Sequence, residues 1–280
     1  DLKAKDQLMA YTSPNAKNVP DNLKDAAYVA QVSTIRERVV SFTQAVFASG
    51  QHRDADLERF VSTVVPVVLA SRRQVSALTD AYLAVVLSET LGVKVAPRGP
   101  VDTDSLRGVS ASEVYSRPFV TVRTKLADGL AYDQAVSAGV ARLTDIALSD
   151  MQLAKTHTAR RSLDVDGVRG YKRTLTGRAN CALCYLASTQ FYSKADLLPI
   201  HPGCNCGVSP IASGDSARMS EDLAATHEAV EARLGVSDSG GRAPDYRKQI
   251  IVREHGELGP VLTVKDQHFT GPRGVTAPAN

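Results

Sequence analysis

The four cysteines constrain the fold of this chain more than any other feature, because all of them fall within 26 residues. They are Cys181, Cys184, Cys204 and Cys206, and His201 lies between the two pairs in the pattern C-x2-C-x16-H-x2-C-x-C. The surrounding segment, about 161–212, is rich in glycine and proline and carries only short apolar runs. A small β-rich unit of this kind buries little apolar surface, so it needs a cross-link to stay folded.

Tetrahedral zinc is the interpretation that this spacing favours. A C-x2-C turn directs two thiolates toward one point, and a second pair of ligands downstream completes the tetrahedron. Cys181 and Cys184 form the first pair, and two of His201, Cys204 and Cys206 supply the second, with the spacing leaving open which two. Four protein ligands leave no position for a substrate, so we expect one structural zinc per chain.

Three other uses of the cluster are compatible with the residues. Two disulfides would require an oxidising compartment, whereas the start DLKAKDQLMA lacks a signal-peptide pattern and is expected to be a processed or truncated terminus. A redox C-x2-C would require a preceding βαβ pattern, which is missing. In the third alternative Cys181 is a nucleophile near a helix N-terminus and His201 is its base.

A basic stretch precedes the cysteines. Between residues 155 and 178, seven cations and two carboxylates give a formal charge of +5 in a chain whose net charge is only +3. Such a stretch suits phosphate contacts, which attract DNA without reading its sequence, and a solvated face with salt bridges is the alternative. The candidate DNA-proximal patch consists of Lys155, Arg160, Arg161, Arg169, Lys172, Arg173 and Arg178.

The first 160 residues carry a helical period. Apolar residues recur at i, i+3, i+4, i+7, i+8 and i+11, a pattern that indicates helix–helix packing, in the run Leu57, Phe60, Val61, Val64, Val65 and Val68. We predict helices over about 22–48, 53–91, 110–129 and 132–158.

Local signals refine these helix boundaries. Pro66 is expected to kink or split its helix, and Pro118 to bend its helix or delay its start. Ser110 and Glu113 have the spacing of a capping box, which predicts a helix start. Gly129 stands where that helix is expected to end.

The rest of the chain changes character. The run VRGYKRTLTG is β-like, CALCYLASTQ suits a short helix, and CGVSPI suits a last strand. A helix near 218–234, a strand over QIIVRE and an extended Pro/Gly-rich end follow. The predicted fold is α+β and mainly helical, with a helical region at 1–160, a zinc-stapled β-rich core at 161–212, and a C-terminal helix and extended tail at 213–280.

Composition excludes several classes of function. Hydrophobic residues make up 43 % and charged residues 22 %, which is ordinary for a folded chain, and no apolar run is long enough to span a membrane. A net charge of +3 excludes a polycation of the histone type. Aromatic residues make up only 5 % and tryptophan is absent, which argues against binding single strands through stacked aromatics.

Two segments resemble the phage Mu F-like minor head proteins of actinobacterial tailed phages. Residues 115–154 resemble the paired helices of that family, and residues 170–211, which contain all four cysteines, resemble its signature core. In that family the C-x2-C pair and the H-x2-C-x-C ending recur at this separation. The resemblance covers about 60–211, and the C-terminal motif is its specific part.

The resemblance implies a minor capsid protein inside the virion head at the portal vertex, made in the host cytoplasm during assembly. The portal protein is then its partner, with the major capsid protein and genomic double-stranded DNA nearby, and its role lies in head assembly, DNA packaging or ejection. Members of this branch are also identified as capsid maturation proteases, so a protease is the alternative, and a DNA-binding module at the portal is the second. The sequence contains no G-x-S-x-G or H-E-x-x-H, and we assign no catalytic residue.

Overall fold

The computed structural model gives a mainly helical chain with a small β-sheet region. The structure describes residues 23–99, 101–104, 106–174, 184, 187–188, 191–194, 197–199, 206–213, 250–255 and 259–264. Within these ranges the helices are α1 (Leu23–Ala48), α2 (Asp54–Leu91), α3 (Ala111–Ala127) and α4 (Tyr132–Ser162). The strands are β1 (Val168–Thr174), β2 (Phe191–Ser193), β3 (Gly207–Ala212), β4 (Ile250–His255) and β5 (Gly259–Val264). The mainly helical α+β class is therefore confirmed, while the zinc cross-link stays a prediction.

The predicted helix signals are found at the ends of α3 and α4. The hydroxyl of Ser110 accepts the backbone N–H of Glu113 at 3.1 Å, so Ser110 caps α3 as its spacing predicted. Gly129 follows α3 with φ +86°, a left-handed conformation that glycine adopts without strain. The end of α4 lies at Ser162, beyond the predicted end near residue 158.

The predicted split at Pro66 does not occur, because α2 is one continuous helix of 38 residues. A proline removes one backbone hydrogen bond from a helix interior, which costs about 3 kcal/mol or more. Val64 and Val68 on either side of Pro66 are fully buried, and this packing holds the helix together across the missing bond. Pro118 likewise lies inside α3, and that helix begins at Ala111 without a delayed start.

The core of the helical body lies between all four helices. The apolar stripe predicted on α2 contributes Phe60, Val64 and Val68, each at most 2 % exposed. Phe119 from α3 and Phe47 from α1 meet edge to face at 5.1 Å between ring centroids, a geometry that aromatic pairs prefer. The helical periodicity of the sequence therefore located the core correctly.

The β1–β3 sheet shares a core with the helical body. β1 is the central strand of an antiparallel sheet in the order β2-β1-β3. From β1, Val168 and Tyr171 join one buried apolar cluster with Leu83 and Leu87 of α2, and with Leu163 at the end of α4. β1 is thereby packed against α2 and the end of α4.

Gly170 allows β1 and β2 to approach each other closely, and we expect a Gly170→Ala substitution to lower the free energy of unfolding by about 1–3 kcal/mol. A methyl group at this position would collide with the backbone carbonyl oxygen of Tyr192, which cannot move aside as a side chain could. Chemical denaturation measures the loss. Lys172→Ala on the exposed face of the same strand is the control, and equal stability of the two variants would contradict the close approach.

The β4–β5 hairpin docks beside α4. The backbone N–H of Leu262 donates to the carbonyl of Pro199 at 3.1 Å, and Val261 packs against Leu153 of α4. The strand predicted over QIIVRE is confirmed as β4.

Several other predictions lie wholly or mostly outside the described residues. From the short helix predicted at 181–190, Cys184, Ala187 and Ser188 are described, and all three are helical. The predicted helix near 218–234 and the extended tail belong to the ranges that the structure does not describe. No helix in the described part of the chain combines the length and the apolar character that a bilayer crossing requires.

Candidate functional site

Two of the five predicted zinc ligands are described, and both are buried. Cys184 is 2 % exposed and Cys206, immediately before β3, is 1 % exposed, and neither of these two is in a disulfide. Cys181, His201 and Cys204 lie outside the described residues. The described part of the chain contains no group of three or more His, Cys, Asp or Glu side chains that could hold a metal ion. The predicted zinc site is therefore described only in part, through two buried thiols.

A buried arginine lies beside one of these thiols. Arg173 of β1 is 3 % exposed, and its Nη1 lies 3.5 Å from the Sγ of Cys206. Its Nη2 donates to the carbonyl of Leu198, and its guanidinium lies 5.7 Å from the ring centroid of Tyr192. A cation next to a thiol favours the thiolate, which is the form that binds metals and attacks electrophiles. The guanidinium beside its sulfur thus makes Cys206 suitable as a metal ligand.

Two more cations of the predicted basic patch bind the backbone that leads into β3. The Nζ of Lys155 donates to the carbonyl of Cys206 at 2.6 Å, and the Nη2 of Arg160 donates to the carbonyl of Leu197 at 2.8 Å. Hydrogen bonds from charged donors are worth more than neutral ones, about 1.5–3 kcal/mol each. Lys155 and Arg160 thus attach residues 206 and 197 to α4, while Arg173 attaches residue 198 to β1, and we name these three cations the cationic clamp.

The remaining patch residues are placed differently. Arg161, Arg169 and Lys172 are exposed, and Arg178 lies outside the described residues. The guanidinium of Arg161 donates to the carbonyl of Arg98 at 2.9 Å, and Arg98 returns a bond to the carbonyl of Arg161 at 3.0 Å. The described cations of the patch therefore fall into two groups. The cationic clamp binds backbone carbonyls of the chain itself, whereas Arg161, Arg169 and Lys172 are exposed to solvent and accessible to a polyanion.

Lys155 and Lys172 provide a matched test of this separation. We expect Lys155→Met to lower the free energy of unfolding by about 1.5–3 kcal/mol, because the carbonyl of Cys206 loses a charged donor. Lys172→Met on the exposed face of β1 should stay within about 0.5 kcal/mol of the wild type. Urea denaturation measures both. A larger loss in Lys172→Met than in Lys155→Met would contradict the assignment of Lys155 to the clamp.

A buried ionic network that the sequence analysis did not predict joins three helices. Asp150 of α4 is fully buried and accepts the Nε and Nη2 of Arg72 at 3.1 and 2.5 Å. It also accepts the Nε of Arg107 at 2.8 Å and the hydroxyl of Tyr115 at 2.9 Å. Burial and the Asp150 carboxylate raise the pKa of Tyr115 well above its ordinary value, so the phenol stays a donor. A sequence signal existed, since Asp150 falls four residues after Ile146, within the apolar stripe of α4.

The same network and a second one fix the connection between α2 and α3. Arg72 Nη1 donates to the carbonyl of Thr103 at 3.0 Å. Asp80, 3 % exposed, accepts the backbone N–H of Gly99 and the hydroxyl of Ser162, both at 2.8 Å. Buried polar groups of this kind persist only when they are partnered, so they determine the path of this connection across α2 and α4.

No protein-family model, no curated protein and no solved structure matches this chain.

Proposed function

We propose that this chain is a structural minor capsid protein that acts inside a phage head at the portal vertex, in head assembly and in DNA packaging or ejection. Its cysteine-rich segment would carry one structural zinc. The portal protein is the proposed partner, with the major capsid protein and genomic double-stranded DNA nearby. Two things support this proposal. One is the resemblance of residues 60–211, and the other is the way in which the structure attaches the cysteine-rich segment to the helical body.

The observation that carries the proposal is the attachment of the cysteine-rich segment to the helical body. Lys155, Arg160 and Arg173 are cations next to a cysteine motif, yet their donors bind backbone carbonyls of that motif. These hydrogen bonds join the helical body and the small sheet into one continuous structural unit. Such a unit suits a structural component of an assembly more than it suits a domain that moves freely.

The donor set supports zinc as the cross-link. Cys184 and Cys206 would be two ligands, with Cys181 and one of His201 or Cys204 completing the set. A bound zinc would hold the chain segments together and supply no chemistry. The guanidinium of Arg173 beside the sulfur of Cys206 would orient that ligand, as partners beyond the direct ligands of a metal commonly do.

Particle assembly tests the proposal. We expect the chain, co-expressed with the portal and major capsid proteins of the same phage, to be retained in assembled particles at low copy number. The major capsid protein should keep its intact mass. Particles that contain the portal but never this chain would overturn the structural proposal.

The same particles test the protease alternative. Cleavage of the major capsid protein that depends on this chain would favour it. Loss of that cleavage in Cys181→Ala or His201→Ala, with zinc content and melting temperature retained, would replace the structural proposal by a cysteine protease.

A DNA-contacting surface is a second candidate function, which the exposed group Arg161, Arg169 and Lys172 favours. Each cation that neutralises a phosphate steepens the salt dependence of binding by about one unit in the log–log plot. We expect Arg169→Gln with Lys172→Gln to reduce this slope. Lys155→Met should leave it unchanged, because its ammonium binds the chain itself, and an unaltered slope in the double variant would exclude this surface.

A further inference from the structure

His52 occupies the turn between α1 and α2 in a backbone conformation that residues with a β-carbon rarely adopt. Its φ is +61°, and it is the one non-glycine residue with a positive φ in the described part of the chain. The residue is nevertheless buried, with an exposed fraction of 9 %. Because the left-handed conformation is itself unfavourable for histidine, the contacts of the side chain have to hold this turn in place.

Three aromatic rings from three helices surround the ring of His52. Its centroid lies 4.4 Å from that of Phe47 in α1, 5.7 Å from that of Phe119 in α3 and 5.9 Å from that of Tyr132 in α4. The hydroxyl of Tyr132 and Nδ1 of His52 share a hydrogen bond of 2.8 Å. We name Phe47, Phe119 and Tyr132 the aromatic cage, and through it the ring of His52 connects the α1–α2 turn to α3 and α4.

The second ring nitrogen of His52 has no partner in the cage. Nε2 is buried, and no described residue makes a hydrogen bond with it. A neutral ring with its proton on Nδ1 can donate to the Tyr132 hydroxyl and leaves no N–H without an acceptor. A protonated ring carries an N–H on both nitrogens, so it would bury a charged donor without an acceptor. The geometry of the cage therefore selects the neutral ring.

The charges around the cage leave this selection in place. The last turn of α1 is uncharged. The charged side chains close in sequence to the cage and the turn are Arg53, Asp54, Asp56, Arg117, Arg123, Asp128 and Asp133. Arg117, Arg123 and Asp128 are engaged in ion pairs, with Glu113, Asp54 and Lys125 respectively. Burial lowers the pKa of His52, and the charge of Asp56 and the carbonyl of Phe47 offset this lowering only in part.

The carboxylate of Asp56 lies beside the same turn and stays ionised while histidine titrates. Its Oδ2 accepts the backbone N–H of Gln51 at 3.0 Å and that of Arg53 at 3.1 Å, on either side of His52. The bond from Arg53 contributes most to lowering the pKa of Asp56 below its ordinary value. A protonated histidine ring that leaves the cage would therefore meet water and a negative charge.

We propose that His52 is an acid-sensitive latch at this end of the helical body. At neutral pH the uncharged ring holds the α1–α2 turn against α3 and α4. Protonation drives the ring out of the aromatic cage toward Asp56, breaks its hydrogen bond to Tyr132 and opens the turn. The latch uses no residue of the cysteine motif or of the basic stretch, so it stands independently of the proposed function.

The direction of the pH response follows from the burial of the ring. The folded state holds His52 neutral below the ordinary pKa of histidine, while the unfolded chain takes up a proton near about pH 6.5. The stabilisation by the neutral ring is therefore complete above that pH. It is lost as the pH falls toward the lower pKa of the caged ring.

Hydrogen exchange of the full chain, read residue by residue by NMR and corrected for the intrinsic pH dependence of exchange, tests the proposal. We expect the amides of Gln51 and Arg53 to exchange at least about tenfold faster at pH 5.5 than at pH 7.5, because the turn that protects them opens. The amide of Val64, within the buried core of α2, should show no such acceleration.

Two variants assign the response to His52. His52→Asn removes the titrating ring but keeps a residue that tolerates a left-handed backbone, and it should abolish the acceleration. His157→Gln removes the other described histidine whose pKa burial lowers, and it should leave the acceleration at Gln51 and Arg53 intact. If His52→Asn fails to fold, His52→Gly, which adopts this φ without strain, decides in its place. Exchange that does not accelerate in the wild type, or that accelerates equally without the His52 ring, would overturn the proposal.

Discussion

Asp150→Ala is expected to lower the free energy of unfolding by about 3–5 kcal/mol, because it leaves two buried guanidinium groups without their shared carboxylate. The hydroxyl of Tyr115 loses its acceptor in the same step. Attraction to Asp150 currently offsets the desolvation of Arg72 and Arg107, and nothing of the same charge replaces it in the variant. The damage should extend to the connection before α3, since Arg72 also holds the carbonyl of Thr103.

Urea denaturation followed by circular dichroism measures this loss. Asp133→Ala is the matched control on the same helix, where the exposed carboxylate lies in the first turn, and its interaction with the helix dipole is worth about 1 kcal/mol or less. Asp150→Asn should fall between the two, because the amide oxygen still accepts a hydrogen bond while the charge is gone. A loss in Asp150→Ala no larger than that in Asp133→Ala would contradict the network's role.

Cys184→Ala should produce a second large loss, because the proposed zinc contributes roughly 10 kcal/mol or more to the folding of a small unit. We expect the variant to lose its metal and most of the folding free energy of residues 161–212. The helical core should survive, since its buried cluster draws only on residues from α1 to α4. Far-ultraviolet circular dichroism would then keep its helical signal, while hydrogen exchange would accelerate in β1.

Metal removal provides the companion test in the wild type. A zinc chelator should lower the melting temperature as Cys184→Ala does, and added zinc, but not magnesium, should restore it. We expect hydrogen exchange to accelerate at the β1 amides of Lys172 and Arg173, which lie opposite Ser209 and Val208 of β3. Unchanged melting in both the chelated protein and the variant would remove the metal cross-link from the account.

Most of the helical body was predictable, because helix formation and burial follow the same period. The stripe from Phe60 to Val68 located α2 and its buried face, and Ser110 with Glu113 located the start of α3. The absence of a split at Pro66, which was one of the two outcomes expected there, has a physical reason. A proline weakens a helix locally, but the packing of the residues around it is a tertiary property that a local rule does not contain.

The division of the basic stretch was not predictable from charge alone. Tyr171 and Arg173 alternate with Lys172 along β1, so one cation is buried and its neighbour is exposed. The register of β1 against β3 shifts between Val168 and Gly170. The alternation of buried and exposed residues is interrupted there, so Arg169 is exposed although it lies two residues before the buried Tyr171. Such an irregularity depends on the partner strand, and the sequence of β1 alone does not show it.

The ionic network was missed for a related reason. Arg72 and Arg107 lie far from Asp150 in the sequence and look like ordinary surface cations in a near-neutral chain. They meet Asp150 only through the packing of the helices. The one usable signal was a charge inside an apolar stripe, as at Asp150, because a carboxylate at a core position of a helix requires a buried partner.

Native mass spectrometry of the folded, reduced full chain tests the central claim most directly, namely that one zinc ion cross-links the cysteine-rich segment. The account predicts one zinc ion per chain, lost together with β-sheet protection when Cys184 is replaced. A folded chain that carries no metal, and whose β1 amides are protected as well in Cys184→Ala as in the wild type, would contradict it.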